Sequence, residues 1–395
     1  MLCKCIGGYV VKFDSIQYPR IAITGAGPGG LVLARILQVR GIAATVFEGE
    51  ENSGARPQGG TLDMHVESGQ LALKLAGLED DFLALARYED QGTRLYDKAG
   101  TLVFADSDEE GDRPEIDRSH LRQILLDSLV PDVVRWGHKL QSVSPRPDGA
   151  YDVAFANGTT ETFDLVVGAD GTWSRVRPLV SPEKPVYSGV TMIEFGLDDV
   201  DAQHPKLAAL VGRGKIFAAA DCKAIIAQRN SNSHFRCYAG LRVPEGWIGE
   251  GHINFSTPES ARQGLLEQFG DWAPSLRELI VRCNDHIMPR PIYALPIGHR
   301  WENRVGITLL GDAAHVMSPF SGEGANLAML DGADLAVALS SGAHWKEAVR
   351  EYEEKMFPRA AEAALGSAQA INEAISPDGL ARFLEHMQGH QALTS

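Results

Sequence analysis

A short apolar run, Ile21 to Thr24, ends at a string of glycines, gives way to a helical stripe over Gly30 to Val39, and is followed by a second run, Ala44 to Phe47. Short apolar runs bounded by turn residues read as strands and repeats at three and four residues read as helices, so this stretch predicts a strand, helix, strand unit. Helical spacing returns over Ser68 to Leu78, closing at Gly77, and over Arg118 to Leu129, where Leu121, Ile124, Leu125 and Leu129 share one face. From Leu140 to Phe163 the pattern alternates, with Pro147-Asp148-Gly149 and Asn157-Gly158 as turns, which predicts a small antiparallel meander. Asp164 to Ala169 is then almost wholly apolar, as a strand covered on both faces of a parallel sheet must be.

Beyond residue 180 the pattern changes. Val186 to Leu197, Lys215 to Ala220, Lys223 to Gln228, Phe235 to Val243 and His252 to Phe255 predict strands with almost no helix between them, hence a mainly antiparallel domain over 181–279. After a helix over Glu259 to Phe269, the strand Ile307 to Leu310 and the helix beyond Gly324 return the chain to the first domain, which is read as discontinuous, 20–180 with 280–340. The tail, 341–395, is Ala-rich and helical from Trp345 to Ile375, with an interruption expected at Pro358, and predicts a brace between the two domains.

Composition adds exclusions. The chain of 395 residues is 44% hydrophobic, enough for more than one core, and its formal net charge is -15. Phosphate-bearing partners, whether nucleic acid or an anionic membrane, would be repelled, and no basic patch offsets that field. The densest acidic run, Asp106 to Asp112, reads as a solvated loop. Cys222, Cys237 and Cys283 stand singly, as reduced structural thiols do, and Cys3-x-Cys5 lacks a second pair at ligand spacing, so no metal is expected. Cys5 to Val11 is too short and too glycine-containing for a signal-peptide core, and no apolar run of about 20 residues occurs, so a cytoplasmic protein without a membrane span is expected.

Three motifs carry chemistry. In Gly25-Ala26-Gly27-Pro28-Gly29-Gly30, set between strand and helix, Gly25 permits a tight turn, Gly27 lets a pyrophosphate approach, and Gly30 allows close helix packing. Glu48, at the end of the second strand, stands where an acid accepts hydrogen bonds from a ribose diol. This motif alone leaves NAD and FAD both open. The second is Gly168-Ala169-Asp170-Gly171, with Ser174 and Arg177, a turn at the carboxyl edge of the sheet, where open α/β folds bind ligands. The third is Gly311-Asp312-Ala313-Ala314-His315, followed by Pro319, Phe320, Gly322, Gly324, Ala325 and Asn326. Here Asp312 can hold a ribityl or ribose hydroxyl, and the helix amides can face the flavin edge that becomes anionic on reduction. His315, with no paired carboxylate in view, reads as structural.

The order of these motifs resembles the FAD-dependent aromatic hydroxylases, the p-hydroxybenzoate hydroxylase-like monooxygenases, from about Ile21 to Ile375. Within that family it is most similar to the tetracycline-inactivating flavin monooxygenases, through Gly59-Gly60-Thr61-Leu62-Asp63-Met64-His65, through Pro114-Glu115-Ile116-Asp117-Arg118 with Leu121-Arg122, and through the Gly311 to His315 motif with Pro319-Phe320. The resemblance implies an α/β fold: a Rossmann-like FAD-binding domain of the GR2 type, a mainly antiparallel β-sheet substrate domain and a C-terminal bracing helix. It implies FAD held by Asp63, Arg122 and Asp312, with Arg56 where NADPH or NADH approaches only transiently, since no second dinucleotide motif is present. It also implies a single-component monooxygenase passing one oxygen of O2, through a flavin C4a-hydroperoxide, to a ring-containing small molecule, and no protein group is assigned as general acid or base. A Gln, an Arg and a His that line the tetracycline pocket stand here as Glu194, Lys215 and Arg236, which changes pocket charge and substrate choice, while Phe320 offers an apolar wall. A monomer is expected. The readings left beside this one are another flavin oxidoreductase on the same fold, or an FAD-bound protein that binds ligand without turnover.

Overall fold

A computed structural model describes residues 18–55, 59–106 and 111–385. Cys3, Cys5, Arg56 and the Asp108 to Glu110 part of the acidic run lie outside the described residues.

The first apolar runs become the middle of a five-stranded parallel sheet, in the order Ile307–Leu309, Leu165–Gly168, Ile21–Thr24, Ala44–Phe47 and Val134–Arg135. Its central strands, Ile21–Thr24 and Leu165–Gly168, are buried at every position, which is why neither alternates in sequence. The helices Pro28–Val39 and Glu323–Leu339 cross in backbone contact on this sheet. A Cβ on Gly29 would strike the Ala328 carbonyl, and one on Gly332 would strike the Gly29 carbonyl, so two glycines set that separation. The meander forms as Leu140–Pro145, Tyr151–Phe155 and Thr160–Phe163, and packs Phe155 and Phe163 on Phe47 with ring centroids 4.4 and 5.6 Å away.

A second, seven-stranded sheet runs Met288–Ala294, Val186–Leu197, His234–Arg242, Lys223–Asn230, Lys215–Ala220, Thr93–Tyr96, Leu102–Asp106. It is antiparallel except where Lys215–Ala220 meets Thr93–Tyr96. Residues 93–106 and 288–294 therefore join strands from the 181–279 stretch. One face, carrying Ile193, Phe195, Ile216, Ile225, Cys237 and Ala239, is sealed by the helices Pro258–Gln268 and Pro274–Val281. Because side chains alternate along a strand, Glu194, Arg236, Tyr238, Gln228, Lys215 and Phe217 fall on the opposite face.

Two expectations are corrected. His252–Phe255 forms no strand; Ile253 is apolar because it is buried in the second core, not because it pairs. The last helix runs unbroken from Trp345 to Ala374, with Pro358 inside it on an exposed position. What holds that helix through the proline is its anchoring. Glu353 accepts from Trp301 Nε1 at 3.0 Å, Asn303 Nδ2 at 2.8 Å and Thr308 Oγ1 at 2.8 Å, and the Tyr352 hydroxyl donates to the Leu309 carbonyl at 2.9 Å. At its far end Ile371, Ala374 and Ile375 pack on the second sheet, and Arg242 donates to the Ile375 carbonyl at 2.6 Å. Among the described residues no helix is long and apolar enough to cross a membrane.

Candidate functional site

The carboxyl ends of the parallel strands gather the first set of candidate residues. Gly25 turns the chain at φ +112, where a Cβ would collide with the Ala169 carbonyl, so the glycine loop and the Asp170-Gly171 turn lie against one another. Gly30 is equally confined, by the Gly25 carbonyl. Gly27 is not: a Cβ there meets nothing within 4 Å, and the same holds for Gly171 and Gly324. Three glycines from three separate motifs thus border open space, as an elongated ligand lying against backbone requires. Glu48 reaches the loop itself, accepting from the Ala26 amide at 2.8 Å and the Glu50 amide at 3.0 Å.

Arg177 ties the second and third motifs together. Its buried guanidinium donates to the Thr172 carbonyl at 2.7 Å, the Ala313 carbonyl at 2.8 Å and the Asp312 carbonyl at 3.3 Å. Asp312 stays exposed at the end of its buried strand, touched by the Thr172 hydroxyl at 3.3 Å. Asp170 accepts from the Arg175 amide at 2.7 Å, and burial pushes its carboxyl above the usual carboxylate range. Arg122 is buried and engaged, donating to Glu50 at 2.8 Å and to the Ser53 carbonyl at 2.8 Å, with the Trp136 ring 5.4 Å away. Arg56 lies outside the described residues.

The segment Gly59 to Asp63 forms the seam between this cleft and the second sheet. Thr61–Asp63 pairs with Glu115–Asp117 as a two-stranded ribbon. On one side Asn326, fully buried, donates to the Asp63 carbonyl at 2.8 Å and accepts from the His65 amide at 3.0 Å, while the Asp63 carboxyl borders Gly322, the φ +72 residue that starts the helix Glu323–Leu339. Burial works against the charge of Asp63, but the His65 ring, 3.5 Å away, and the Lys215 ammonium hold its carboxyl below the usual range. On the other side Gly59 and Gly60 abut the Arg236 guanidinium and the Tyr238 hydroxyl.

The sheet face beyond that seam is polar. Glu194 accepts from Arg236 at 2.5 Å and from Arg290 at 3.3 Å, so the acid and the cation predicted there neutralise each other. Burial, with Glu194 next, raises the Tyr238 phenol above its ordinary value. Phe320, in the turn Pro319–Ser321, joins Tyr238, Phe217 and Met192 in an apolar cluster on the sheet. The structure thus brings Glu194, Lys215, Arg236 and Phe320 to one face, and Asp63, Gly322, Gly324, Ala325 and Asn326 to its border.

His315 has the paired carboxylate that sequence left out: Asp331 Oδ2 lies 2.6 Å from Nε2. The pair is buried beneath the cleft, and the same oxygen accepts from the Gly311 amide at 3.0 Å, so its position is that of a support for the Gly311-Asp312 turn. Sequence reasoning also passed over Glu115, Gln228 and Tyr238. Tyr238 lies two residues from Arg236 on one strand, a period-two signal that was available; Glu115 sits in a three-residue strand too short for any periodicity. Among the described residues no group of three or more His, Cys, Asp or Glu could hold a metal ion.

The chain matches the sequence model of the FAD binding domain over residues 19–282 and 292–365. It is 32% identical over 401 aligned residues to Monooxygenase penA of Penicillium thymicola, an alignment that covers 87% of this chain and 92% of that protein. Of solved structures, Klebsiella pneumoniae HpxO complexed with FAD and uric acid is similar with a TM-score of 0.78 at 22% identity, over 94% of this chain and 92% of the other. Tetracycline destructase Tet(51) follows at 0.69 and 21%, over 95% and 94%. At those identities the two structures speak for the fold.

Proposed function

From a chain that belongs to the FAD binding domain family, the FAD-dependent aromatic hydroxylase-like monooxygenases, we propose a single-component enzyme that takes reducing equivalents from NADPH or NADH and hydroxylates an electron-rich aromatic, enolic or polycyclic small molecule. The observation that carries this reading is the seam Gly59 to Asp63, with the open glycines of the cleft on one side and a polar sheet face on the other. FAD, when bound, supplies the electron transfer and oxygen activation that side chains lack.

The chain's own part is to bind, orient and exclude water. Gly27 would admit the pyrophosphate to the helix N-terminus of Pro28–Val39, and Glu48 and Asp312 are the acids that would accept from ribose and ribityl hydroxyls. The amides at the start of Glu323–Leu339 would hold the flavin ring and offer donors to negative charge on it. Phe320 and Met192 wall the substrate ring, and Lys215 and Tyr238 orient its polar substituents. The Glu194–Arg236 ion pair offers a different hydrogen-bonding surface from the neutral amide and imidazole that the resemblance implies for a tetracycline, so smaller phenols and enols are the better first substrates.

The test is oxygen uptake by purified, FAD-loaded protein with NADPH and with NADH across a panel of phenols, β-dicarbonyl enols and tetracycline, with mass spectrometry for the gain of one oxygen atom. Retention of FAD with no stimulated NAD(P)H oxidation by any member would sink the enzyme reading and leave a flavin-bound ligand binder.

A further inference from the structure

Asp63 and Glu115 are direct cross-strand partners in the two-stranded ribbon, so two carboxyl groups share one face where like charges oppose each other. Glu115 is 2% exposed. Its Oε2 accepts from the Thr61 hydroxyl at 2.8 Å, and its Oε1 accepts from Gln228 Nε2 at 3.1 Å. Gln228 is in turn the cross-strand partner of Lys215, whose ammonium forms no ion pair among the described residues. The buried acid therefore sits behind the polar sheet face, one side chain removed from the Lys215 ammonium.

We propose that Glu115 is a specificity-determining residue of the substrate face: while it keeps its proton, Lys215 is free to meet an anionic ring oxygen, a phenolate, enolate or carboxylate, and when it ionises that attraction is withdrawn. The assignment rests on the reading of this face as the substrate site. The charges around Glu115 are few. Asp63 lies across the ribbon with His65 behind it, Lys215 lies on the sheet, and Arg87 reaches Thr61 at 3.3 Å but is paired with Asp90 at 2.8 Å and Asp117 at 2.9 Å. With Glu115 protonated, Lys215 faces one acid, Asp63, and its ammonium can still meet an anion at contact distance; with Glu115 ionised, two acids face one cation and the added negative charge opposes that contact. Burial, against the pull of Lys215 and with the push of Asp63, moves the Glu115 carboxyl above the usual carboxylate range. Asp63, its cross-strand partner, moves the other way, so the two acids of the ribbon do not share one titration range.

Naphthalene-1-sulfonate, a two-ring anion at every working pH, serves as the probe, with its binding to the FAD-loaded protein read from the flavin absorption band. Affinity should fall about tenfold as pH rises and Glu115 ionises, the size of one added charge near the site. Glu115→Gln should hold the acidic-side affinity throughout, and Lys215→Met should weaken binding at every pH. A wild-type affinity that does not fall with pH overturns the proposal, as does a Glu115→Gln protein that keeps the wild-type fall, which would point to His65. A probe whose binding ignores Lys215→Met strikes instead at the substrate-site reading beneath it. Flavin content and melting temperature of each variant report whether it has folded; if Glu115→Gln does not, a wild-type affinity that stays flat with pH still overturns the proposal, and Glu115→Asp, which keeps the acid, should retain the fall that His65→Gln leaves untouched.

Discussion

Asp331 has no exposed surface, yet it accepts hydrogen bonds from Gly311, His315 and Arg359. Burial opposes its charge, but His315 and Arg359 outweigh it and hold the carboxyl below its usual range; burial likewise opposes the His315 cation, and Asp331 outweighs it and holds the imidazole above its own. The two directions set a window. The Asp331 contribution to stability is present above the unfolded carboxylate pKa and is lost as pH falls through the depressed folded value. That of His315 is present below the unfolded imidazole pKa and is lost as pH rises through the raised one. Asp331→Ala should cost about 3–5 kcal/mol at neutral pH, the effect of stripping one partner from a buried ion pair, and denaturant unfolding across pH should lose its wild-type maximum. The glycine loop separates fold from binding in the same residue-level way. Gly30→Ala must displace backbone and should cost about 1–3 kcal/mol in melting of the FAD-free protein. Gly27→Ala should leave that melting within about 0.5 kcal/mol while weakening FAD at least about tenfold in a fluorescence titration, and unchanged FAD affinity would displace the pyrophosphate from this loop. These glycines were legible in sequence because their spacing is local. The Asp331 partner of His315 was not, since it sits in the middle of a helix, where a lone acid reads as surface.

At the scale of elements, legibility followed length and pairing. The twelve-residue strand Val186–Leu197 was readable to the residue, whereas the three-residue strands Thr61–Asp63 and Glu115–Asp117 carry no period to detect. Met288–Ala294 was hidden by Pro289 and Pro291, which are tolerated because this strand is the edge of its sheet and needs partners on one side only. Pro358 misled in the opposite sense: tertiary anchors on both sides carry the helix through a residue that removes an amide. Since Pro358 is exposed, Pro358→Ala should stabilise the protein, by up to about 3 kcal/mol, seen as a higher melting temperature. A lower one would mean that packing at the Glu353 and Ile371 ends requires the bend the proline imposes.

Over the whole molecule the net charge of -15 would confront the NADPH or NADH proposed as reductant, itself an anion. Raising ionic strength from low to physiological should therefore speed flavin reduction by NAD(P)H severalfold in stopped flow, by screening repulsion. A steep slowing with salt would reveal a local positive entry. The cofactor cleft was readable from three motifs because each loop is continuous in the chain, while the sheet face required knowing that Lys215 pairs with Gln228 and Glu194 with Tyr238. The cleft itself is closed by late-made pieces. The edge strand Ile307–Leu309, and the helix Trp345–Ala374 that grips it through Tyr352 and Glu353, follow the dinucleotide loop by most of the length of the chain. A ribosome thus extrudes the first lip of the cleft long before the last, and a nascent polypeptide lacks a closed cleft until the helix Trp345–Ala374 has emerged.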